Sequence, residues 1–393
     1  MVATAFYILL SIASFFLVLS ALVFFHELGH YGVARAFKMK VERFSIGFGK
    51  PIYAWTNEAG ERWMISRIPL GGYVKFAGDA GAASNPDSEQ LAKLRSEQGD
   101  DVKDIFHFRP VWQRALVVLA GPIANFILAA LLFAIAVMWV GTSHTQSVIG
   151  SVLADSPAAR AGMQPGDKII AMDGRDVSDF NELRNHVIMR SGTPIQTVIL
   201  RRGQEIDLTL TPTRVDDRDI IGGAMTRGQI GITLPENPVI DTRRYGPISA
   251  LTFGTQEVGR MLSSTGYYIA RIFTGREDGK QLGSVGRIAA ITGKSTYDLA
   301  SADASLGDRL RALTLRLIYL GAGISVALGF ANLLPIPMLD GGHLVFYSYE
   351  AVAGKPLSQS KQEAGFKFGI AILMLLFLVL LMNDIGYIGS LLS

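Results

Sequence analysis

The segment His26-Glu27-Leu28-Gly29-His30 carries residue types that could bind a metal ion and activate water. On a helix, positions i and i+4 lie on one face, so both imidazoles can reach a single ion. Glu27 then lies beside that ion as a general base. The alternative is a chance match, with two histidines at a helix end. Because the motif follows an apolar run, where ionisable residues are costly and usually functional, we favour zinc binding.

A catalytic zinc ion needs one more protein ligand than the two histidines supply. Glu42 lies shortly downstream, and Asp340 follows the third apolar run. We favour Asp340, because runs one and three cross a membrane in the same direction and their C-terminal ends share one side. A simple helix-end aspartate is the alternative. His343 is expected beside the ligands or facing solvent, without binding the ion, since a fourth protein ligand would prevent water activation.

Four apolar runs are long enough to cross a membrane, which requires about 20 apolar residues in a helix. They cover residues 4–25, 115–140, 317–339 and 368–382, the last continued by a mostly apolar tail, 385–393. The sequence therefore predicts four transmembrane helices. A signal peptide is the alternative for the first run, but its apolar stretch would be too long and lacks a preceding basic segment.

The composition also favours a membrane protein. Of the 393 residues, 49% are apolar and 18% are charged, compared with about 25% charged in ordinary globular chains. The absence of cysteine excludes thiolate ligands and thiol nucleophiles. A net charge of +3 gives no support for nucleic-acid binding.

Basic residues in the short loops predict the orientation of these helices. They cluster in residues 35–43, 103–114 and 355–367. We therefore expect these loops in the cytoplasm, with both termini and residues 141–316 on the outer side. The histidine motif then lies near the cytoplasmic face of the membrane.

The motif HELGH at 26–30, together with NLLPIPMLDGG at 332–342, resembles the site-2 protease family of intramembrane zinc metalloproteases. The segment between runs two and three makes the chain most similar to the family's bacterial proteases that regulate sigma-E. The resemblance implies that His26, His30 and Asp340 bind Zn²⁺ and that Glu27 is the catalytic acid/base. It also implies a bacterial inner-membrane protease that cleaves membrane proteins in the bilayer, such as single-span anti-sigma factors or signal-peptide remnants.

Polar and helix-breaking residues in runs two and three are candidates for substrate binding. Asn332, Pro335 and Pro337 interrupt run three, and irregular backbone is tolerated at membrane depth only where protein or a water cavity shelters it. In the family, a similar Asn-Pro segment contacts the substrate; an ordinary kink is the alternative. Gly121 and Asn125 share one side of run two, where close helix packing and substrate contact both remain open.

Residues 44–76 read as two aromatic and β-branched strands around a turn at Asn57–Gly60. In the family, a similar membrane-associated β-hairpin lies beside the active site, where an edge strand could hold an extended substrate. A plain interfacial hairpin is the alternative. Residues 80–104 are polar and are expected to form a loop with a helix.

The region after run two predicts a small α+β domain. Strands are expected at 148–153, 168–172, 195–201 and 205–211, with a helical turn at 158–162 and a helix at 178–190. The segment SPAARAGMQPGDKIIAMDG resembles PDZ domains of bacterial proteases. Such a domain could bind a substrate tail or act as a size filter, and we favour the filter. Residues 247–273 predict an amphipathic helix on the outer membrane surface, with 281–293 as a related segment.

The sequence thus predicts an α-helical polytopic membrane protein with about four transmembrane helices, a membrane-associated β-hairpin and an inserted PDZ-like domain. The expected divisions are 1–147, the PDZ-like domain 148–235, an amphipathic segment 236–310, and the last two transmembrane helices 311–393. A non-catalytic PDZ-type scaffold or receptor is the alternative function, and the intact Glu27 argues against it. A metal transporter would need ligands at mid-depth, which the runs do not contain.

Overall fold

The computed structural model describes residues 2–79, 81, 87–218, 224–277, 279, 287 and 304–392. The helices of the described residues are α1 Val2–Ala36, α2 Ser88–Gln98, α3 Val111–Val140, α4 Pro157–Arg160, α5 Phe180–Ile188, α6 Pro247–Phe273, α7 Leu306–Asn332, α8 Asp340–Ala353 and α9 Gln359–Leu392. The strands are β1 Val41–Thr56, β2 Arg62–Phe76, β3 Thr142–Thr145, β4 Ser151–Val152, β5 Lys168–Met172, β6 Arg175–Asp176, β7 Ile195–Arg201, β8 Gln204–Leu210, β9 Thr213–Arg218, β10 Ala224–Gln229, β11 Ile232–Thr233 and β12 Ile240–Arg243.

Contacts divide the chain into two compact units. Unit 1 combines Met1–Ala136, Ala250–Ser264 and Ile288–Leu380, and unit 2 combines Val137–Ser249, Thr265–Arg287 and Leu381–Ser393. Both units are therefore assembled from segments that lie far apart in the sequence.

Four helices of the described residues are long and apolar enough to cross a membrane, which confirms the number predicted. They are Phe16–Ala36 within α1, all of α3, all of α7, and Gln359–Gly386 within α9. Helix α1 continues past the predicted end of its apolar run at residue 25, so the whole histidine motif is helical. Glu27 and both histidines are thereby held by a continuous helix.

The prediction that the third run continues as a helix to residue 339, with Asp340 at its end, is wrong. Helix α7 ends at Asn332, and Asp340 begins the separate helix α8. The physical reason is the pair Pro335 and Pro337, which cannot donate backbone hydrogen bonds and exclude the preceding residues from helical geometry. Residues 333–339 form turns instead, with Met338 at a φ of 90°.

Strands β1 and β2 in unit 1 pair antiparallel, with residues 53–56 and 62–65 joined by a turn at residues 57–61. Residues 43–46 pair with 62–65 on one side and with 72–75 on the other, so the two strands form more than a simple hairpin. The Asn57 side chain organises this turn by accepting hydrogen bonds from the backbone N–H groups of Ala59 and Glu61. The buried Glu61 side chain accepts a hydrogen bond from the Tyr31 hydroxyl and pairs with Arg35 at 3.1 Å. Since Tyr31 and Arg35 follow His30 on α1, this ion pair fastens the strands to the helix that carries the motif.

Unit 2 contains a four-stranded antiparallel sheet in the order β6-β5-β7-β8. Its core is apolar, with Ile169, Ile195 and Ile199 fully buried. Strands β5 and β7 have the predicted bounds, whereas the predicted strand at 148–153 is reduced to β4. Helix α5 is shorter than predicted and begins after Asp179, whose side chain accepts a hydrogen bond from the Asn181 N–H.

Two further segments were expected between the main elements. The polar segment 80–104 contains helix α2, as predicted. The predicted surface segment 281–293 lies outside the described residues, except for Arg287.

Candidate metal centre

Helix α1 and the start of helix α8 bring three potential metal ligands together. The Nε2 atoms of His26 and His30 lie 3.2 Å apart. Asp340 Oδ2 lies 3.2 Å from His26 Nε2, and Asp340 Oδ1 lies 3.6 Å from His30 Nε2. One ligand atom from each residue falls within a mutual distance of 4.8 Å, so the three could hold one ion.

These residues fit zinc in both spacing and chemistry. Ligands about 2.0 Å from a tetrahedral zinc ion lie about 3.3 Å from one another, close to the separations found between these side chains. Asp340 Oδ2 is buried and accepts no hydrogen bond from a described residue. A buried carboxylate oxygen in that state is costly unless it has a partner, and a bound zinc ion would provide one.

The protonation of His30 is fixed by helix α3. His30 Nδ1 lies 2.8 Å from the carbonyl oxygen of Val117. A carbonyl oxygen only accepts hydrogen bonds, so Nδ1 carries the proton and donates. The lone pair of Nε2 is therefore left for a metal ion, an arrangement typical of histidine ligands.

Asn125 on helix α3 lies beside His26 Nδ1, just as the Val117 carbonyl lies beside His30 Nδ1. Its side-chain amide lies 3.1 Å from His26 Nδ1, and its buried Oδ1 has no hydrogen-bond partner among the described residues. Oxygen and nitrogen of an amide are assigned from the hydrogen-bond network. The orientation that places Oδ1 against His26 Nδ1 satisfies the oxygen, protonates Nδ1 and leaves Nε2 free to bind a metal.

Glycine allows helix α3 to approach both histidines closely. A Cβ atom on Gly121 would lie 2.3 Å from His30 Nε2 and 2.9 Å from His26 Cε1. On the facing helix, a Cβ on Gly29 would lie 2.4 Å from the carbonyl oxygen of Ala120. A residue larger than glycine at either position would therefore collide with the facing helix. This agrees with close packing of Gly121 near the site.

Strand β2 approaches the buried Glu27 from another side. A Cβ atom on Gly72 would lie 2.9 Å from Glu27 Cγ and 2.7 Å from the carbonyl oxygen of Ser45. The backbone N–H of Val74 donates to the Glu27 carboxylate. The strand pair thus confines Glu27 beside the metal ligands.

The charge of Asp340 suits a metal ligand. A carboxylate binds a metal ion in its ionised form, and the positive charge of a bound zinc ion would hold the buried Asp340 carboxyl in that form.

Of the remaining predicted residues, Asn332 lies at the site, whereas Glu42 is not part of the ligand cluster. Asn332, the last residue of α7, has its side-chain Nδ2 3.3 Å from His26 Nε2, so it lies at the site. Pro335 and Pro337 lie in the turns between α7 and α8, where Pro337 packs against Gly369 of α9. The alternative ligand Glu42 pairs with Lys75 at 3.0 Å and is not part of the cluster.

His343 lies near the cluster without joining it, and its ring packs among the aromatic rings of Phe346, Tyr347 and Phe366. Sequence reasoning missed the partner of His30, the Val117 carbonyl. No side-chain type signals a backbone acceptor, so this contact could only come from a structure.

Comparison with known proteins gives a consistent result. The family model of peptidase family M50 matches residues 14–376. Metalloprotease MmpA of Caulobacter vibrioides is 42% identical over 387 residues, which is 96% of this chain and 96% of MmpA. "Putative zinc metalloprotease Atu1380" of Agrobacterium fabrum is 40% identical over 376 residues, 95% of each chain. A similarly named protein of Rhizobium meliloti, R01501, is 37% identical over 379 residues, 96% of this chain and 97% of the relative.

These matches extend over almost the whole chain and include the segments that carry the three candidate ligands. Together with the four apolar helices, they identify the class of protein and its cofactor, zinc. The chain belongs to peptidase family M50, the site-2 protease family, and is a zinc-dependent metalloprotease of a membrane.

Proposed function

We propose that this protein hydrolyses a peptide bond within or near a transmembrane segment of its substrate, with His26, His30 and Asp340 as zinc ligands and Glu27 as the catalytic acid/base. The observation that carries the proposal is the convergence of the two imidazoles and one carboxylate at 3.2 to 3.6 Å. These side chains come from α1 and α8, more than 300 positions apart in the sequence.

Glu27 can move the proton that peptide hydrolysis requires. When bound, a zinc ion supplies Lewis-acid chemistry, since it polarises a carbonyl group and makes water acidic near neutral pH. Glu27 accepts a proton from water as the water oxygen attacks the carbonyl carbon. Glu27 then returns that proton to the nitrogen as the C–N bond breaks, so that an acid and an amine are released. Its confinement by β2 keeps the carboxylate beside the ligands.

Asn332 and Asn125 are the polar side chains that we assign to substrate or ligand positioning. Asn332 is half-buried beside His26, where its amide could donate to a substrate carbonyl. Asn125 is fully buried, which favours positioning of His26 over direct substrate contact. Pro335 and Pro337 keep the segment after Asn332 out of a helix, and exposed Pro335 leaves that segment open to a substrate strand.

Strands β1 and β2 are assigned to a membrane-associated β-hairpin that holds the substrate extended. Several of their apolar side chains are exposed in the described chain, including Ile52, Tyr53 and Ile68. An exposed apolar patch is typical of a membrane or protein contact. Among the described residues, 43–46 and 62–65 pair on both sides, whereas 53–56 and 72–75 pair on one side only. Strand addition by a substrate is therefore available at 53–56 or 72–75.

We assign the protein to a bacterial inner membrane, and the distribution of basic residues supports a metal centre near the cytoplasmic face. Both termini and the PDZ-like domain, 148–235, would then be periplasmic, between the membrane segments 1–147 and 311–393 and an amphipathic segment, 236–310. In this arrangement the PDZ-like domain admits substrates that have already lost their outer domain. Single-span anti-sigma factors and signal-peptide remnants match that description.

One experiment tests the activity and the filter together. Glu27→Gln removes the proton acceptor but no ligand, so the full-length variant should retain zinc and lose cleavage by at least about 100-fold. The substrates are two versions of one single-span protein, with and without a folded outer domain. The wild type should cleave only the short version. Glu58→Gln, the same change at an exposed turn position, is the matched control and should leave cleavage unchanged.

Full cleavage by Glu27→Gln would remove Glu27 from the mechanism. Equal cleavage of both substrates by the wild type would exclude the size filter but leave the protease assignment standing. Zinc binding without cleavage of either substrate by the wild type would instead favour the scaffold alternative.

A further inference from the structure

Unit 2 contains an open cavity of about 520 Å³ whose described lining is basic. Its charged residues are Arg214 on β9, Arg271 near the end of α6, and Arg276 just beyond that helix. Ser191, Thr193 and Pro212 contribute much of the remaining lining, and none of the lining residues is acidic. The cavity lies in unit 2, and the proposed function gives it no role.

Arg271 forms a fixed floor for this cavity. Its side chain is 3% exposed, and it donates hydrogen bonds to the Ser191 carbonyl at 2.8 Å and to the Thr193 hydroxyl. It also pairs with Glu277 at 3.0 Å. A buried guanidinium held by several acceptors keeps its position and charge, which makes it a preorganised element of an anion site.

Among the described residues, one guanidinium group at the cavity has no ion-pair partner. Glu277 is the carboxylate that pairs with its arginines, at 3.0 Å from Arg271 and 3.8 Å from Arg214. Arg276 is exposed and forms no ion pair with any described residue. An anionic ligand would provide Arg276 with an ion-pair partner.

Within unit 2, the chain just after the cavity contacts the end of a long apolar helix. Just after Arg276, the Gly279 carbonyl accepts a hydrogen bond from Asn383 Nδ2 at 3.1 Å, and Asp384 accepts one from the Arg287 N–H at 3.1 Å. Asn383 and Asp384 lie in the last residues of the apolar helix Gln359–Gly386. The chain that follows Arg276 therefore contacts the end of a helix that is long enough to span a membrane, and such an end would reach the lipid headgroups.

An exposed aromatic residue beside the arginines favours a lipid as the ligand. Phe273, the last residue of α6, is 87% exposed and lies between Arg271 and Arg276 in the sequence. An aromatic side chain next to basic residues at the end of an amphipathic helix is typical of contact with the membrane interface. Binding of a soluble anion would not explain why the exposed apolar side chain of Phe273 lies next to the arginines.

We propose that this cavity binds the phosphate group of an anionic phospholipid. The guanidinium groups of Arg214 and Arg276 would contact the phosphate oxygens above the floor formed by Arg271, while Phe273 would contact the acyl region. Arginine suits this task because its planar donors match phosphate oxygens.

Lipid retention by the full-length protein tests the site. The protein is delipidated in detergent and titrated with phosphatidylglycerol, and bound lipid is counted by native mass spectrometry. Arg214→Gln combined with Arg276→Gln should weaken binding of one phosphatidylglycerol molecule by about tenfold or more, since charged hydrogen bonds are lost. Arg276→Lys, which keeps the charge, should retain most of the binding. Arg184→Gln, at an exposed position on α5, is the matched control and should bind like the wild type.

Parallel titrations with phosphatidylcholine, inorganic phosphate and a peptide with a free C-terminal carboxylate identify the ligand class. Weak binding of all three supports an anionic phospholipid. Equal phosphatidylglycerol binding by the double variant, the control and the wild type would overturn the site. Arginine-dependent binding of inorganic phosphate or of the peptide in preference to lipid would overturn the lipid assignment.

Discussion

At the level of single residues, the metal centre depends on which nitrogen of each histidine carries the proton. The Val117 carbonyl sets this for His30, and Asn125 is in position to set it for His26. Both partners lie on α3, a helix that supplies none of the three candidate ligands. The candidate ligands and Glu27 could be predicted from sequence because their side-chain types signal metal chemistry. Their hydrogen-bond partners could not, since a carbonyl and a buried amide carry no comparable signal.

Replacement of Asn125 tests this positioning role. Asn125→Ala should lower zinc affinity by about 10- to 100-fold, because His26 Nδ1 loses its acceptor. Competition with a chelator of known affinity measures the change. Asn332→Ala is the comparison: it should reduce cleavage but leave zinc affinity close to that of the wild type. Unchanged zinc affinity in Asn125→Ala would show that the ring of His26 does not need this amide.

At the level of elements, the site requires α1, α3 and β2 to approach more closely than side chains larger than glycine allow. For Gly121, the spacing to Asn125 indicates close helix packing as one of two possibilities. Sequence analysis did not predict the end of α7 at Asn332, because an apolar turn and an apolar helix have the same composition. The two prolines are the available signal, and they predict irregular backbone within run three but not the end of its helix.

Two glycines of α1 provide a matched test of the α1–α3 contact. A Cβ on Gly29 would collide with the Ala120 carbonyl, whereas a Cβ on Gly32 would meet nothing within 4 Å. Gly29→Ala should therefore destabilise the zinc-loaded full-length protein by about 1–3 kcal/mol and reduce zinc content. Gly32→Ala should be neutral or stabilising by up to about 1 kcal/mol. Thermal unfolding compares the two, and equal effects would contradict the contact.

In unit 2, the pKa of Asp167, the residue just before β5, leads to a separate prediction. Burial raises the pKa of Asp167, but hydrogen bonds from the Arg201 guanidinium at 2.7 Å and the Gln164 N–H at 2.8 Å outweigh it. The pKa of Asp167 is therefore below its ordinary value. Its stabilisation is complete above the unfolded pKa of about 3.9 and is lost as the pH falls through the lower, folded value.

Hydrogen exchange of β5 in the full-length protein tests the Asp167 contribution. In the wild type, protection of Lys168–Met172 should fall between about pH 5 and pH 2, relative to intrinsic exchange rates. Asp167→Asn should be less protected at pH 6 and should lose most of this pH dependence. Asp176→Asn, at an exposed position on β6, should behave like the wild type. An unaltered pH response in Asp167→Asn would refute the assignment.

At the level of the whole molecule, zinc would join two segments from opposite ends of the chain. Sequence analysis predicted their meeting because the first and third runs cross the membrane in the same direction. The route differs, since Asp340 reaches the histidines from the start of a new helix rather than the end of α7. The resemblance of both motifs to one family made the partnership predictable even though the local geometry was not.

The position of zinc in the full-length protein tests the central claim most directly. Anomalous diffraction at the zinc edge should show one ion about 2.0–2.2 Å from His26 Nε2, His30 Nε2 and an oxygen of Asp340. Asp340→Ala should lose that ion or bind it with much lower occupancy. An ion bound away from Asp340, or full occupancy in Asp340→Ala, would contradict the proposed metal centre.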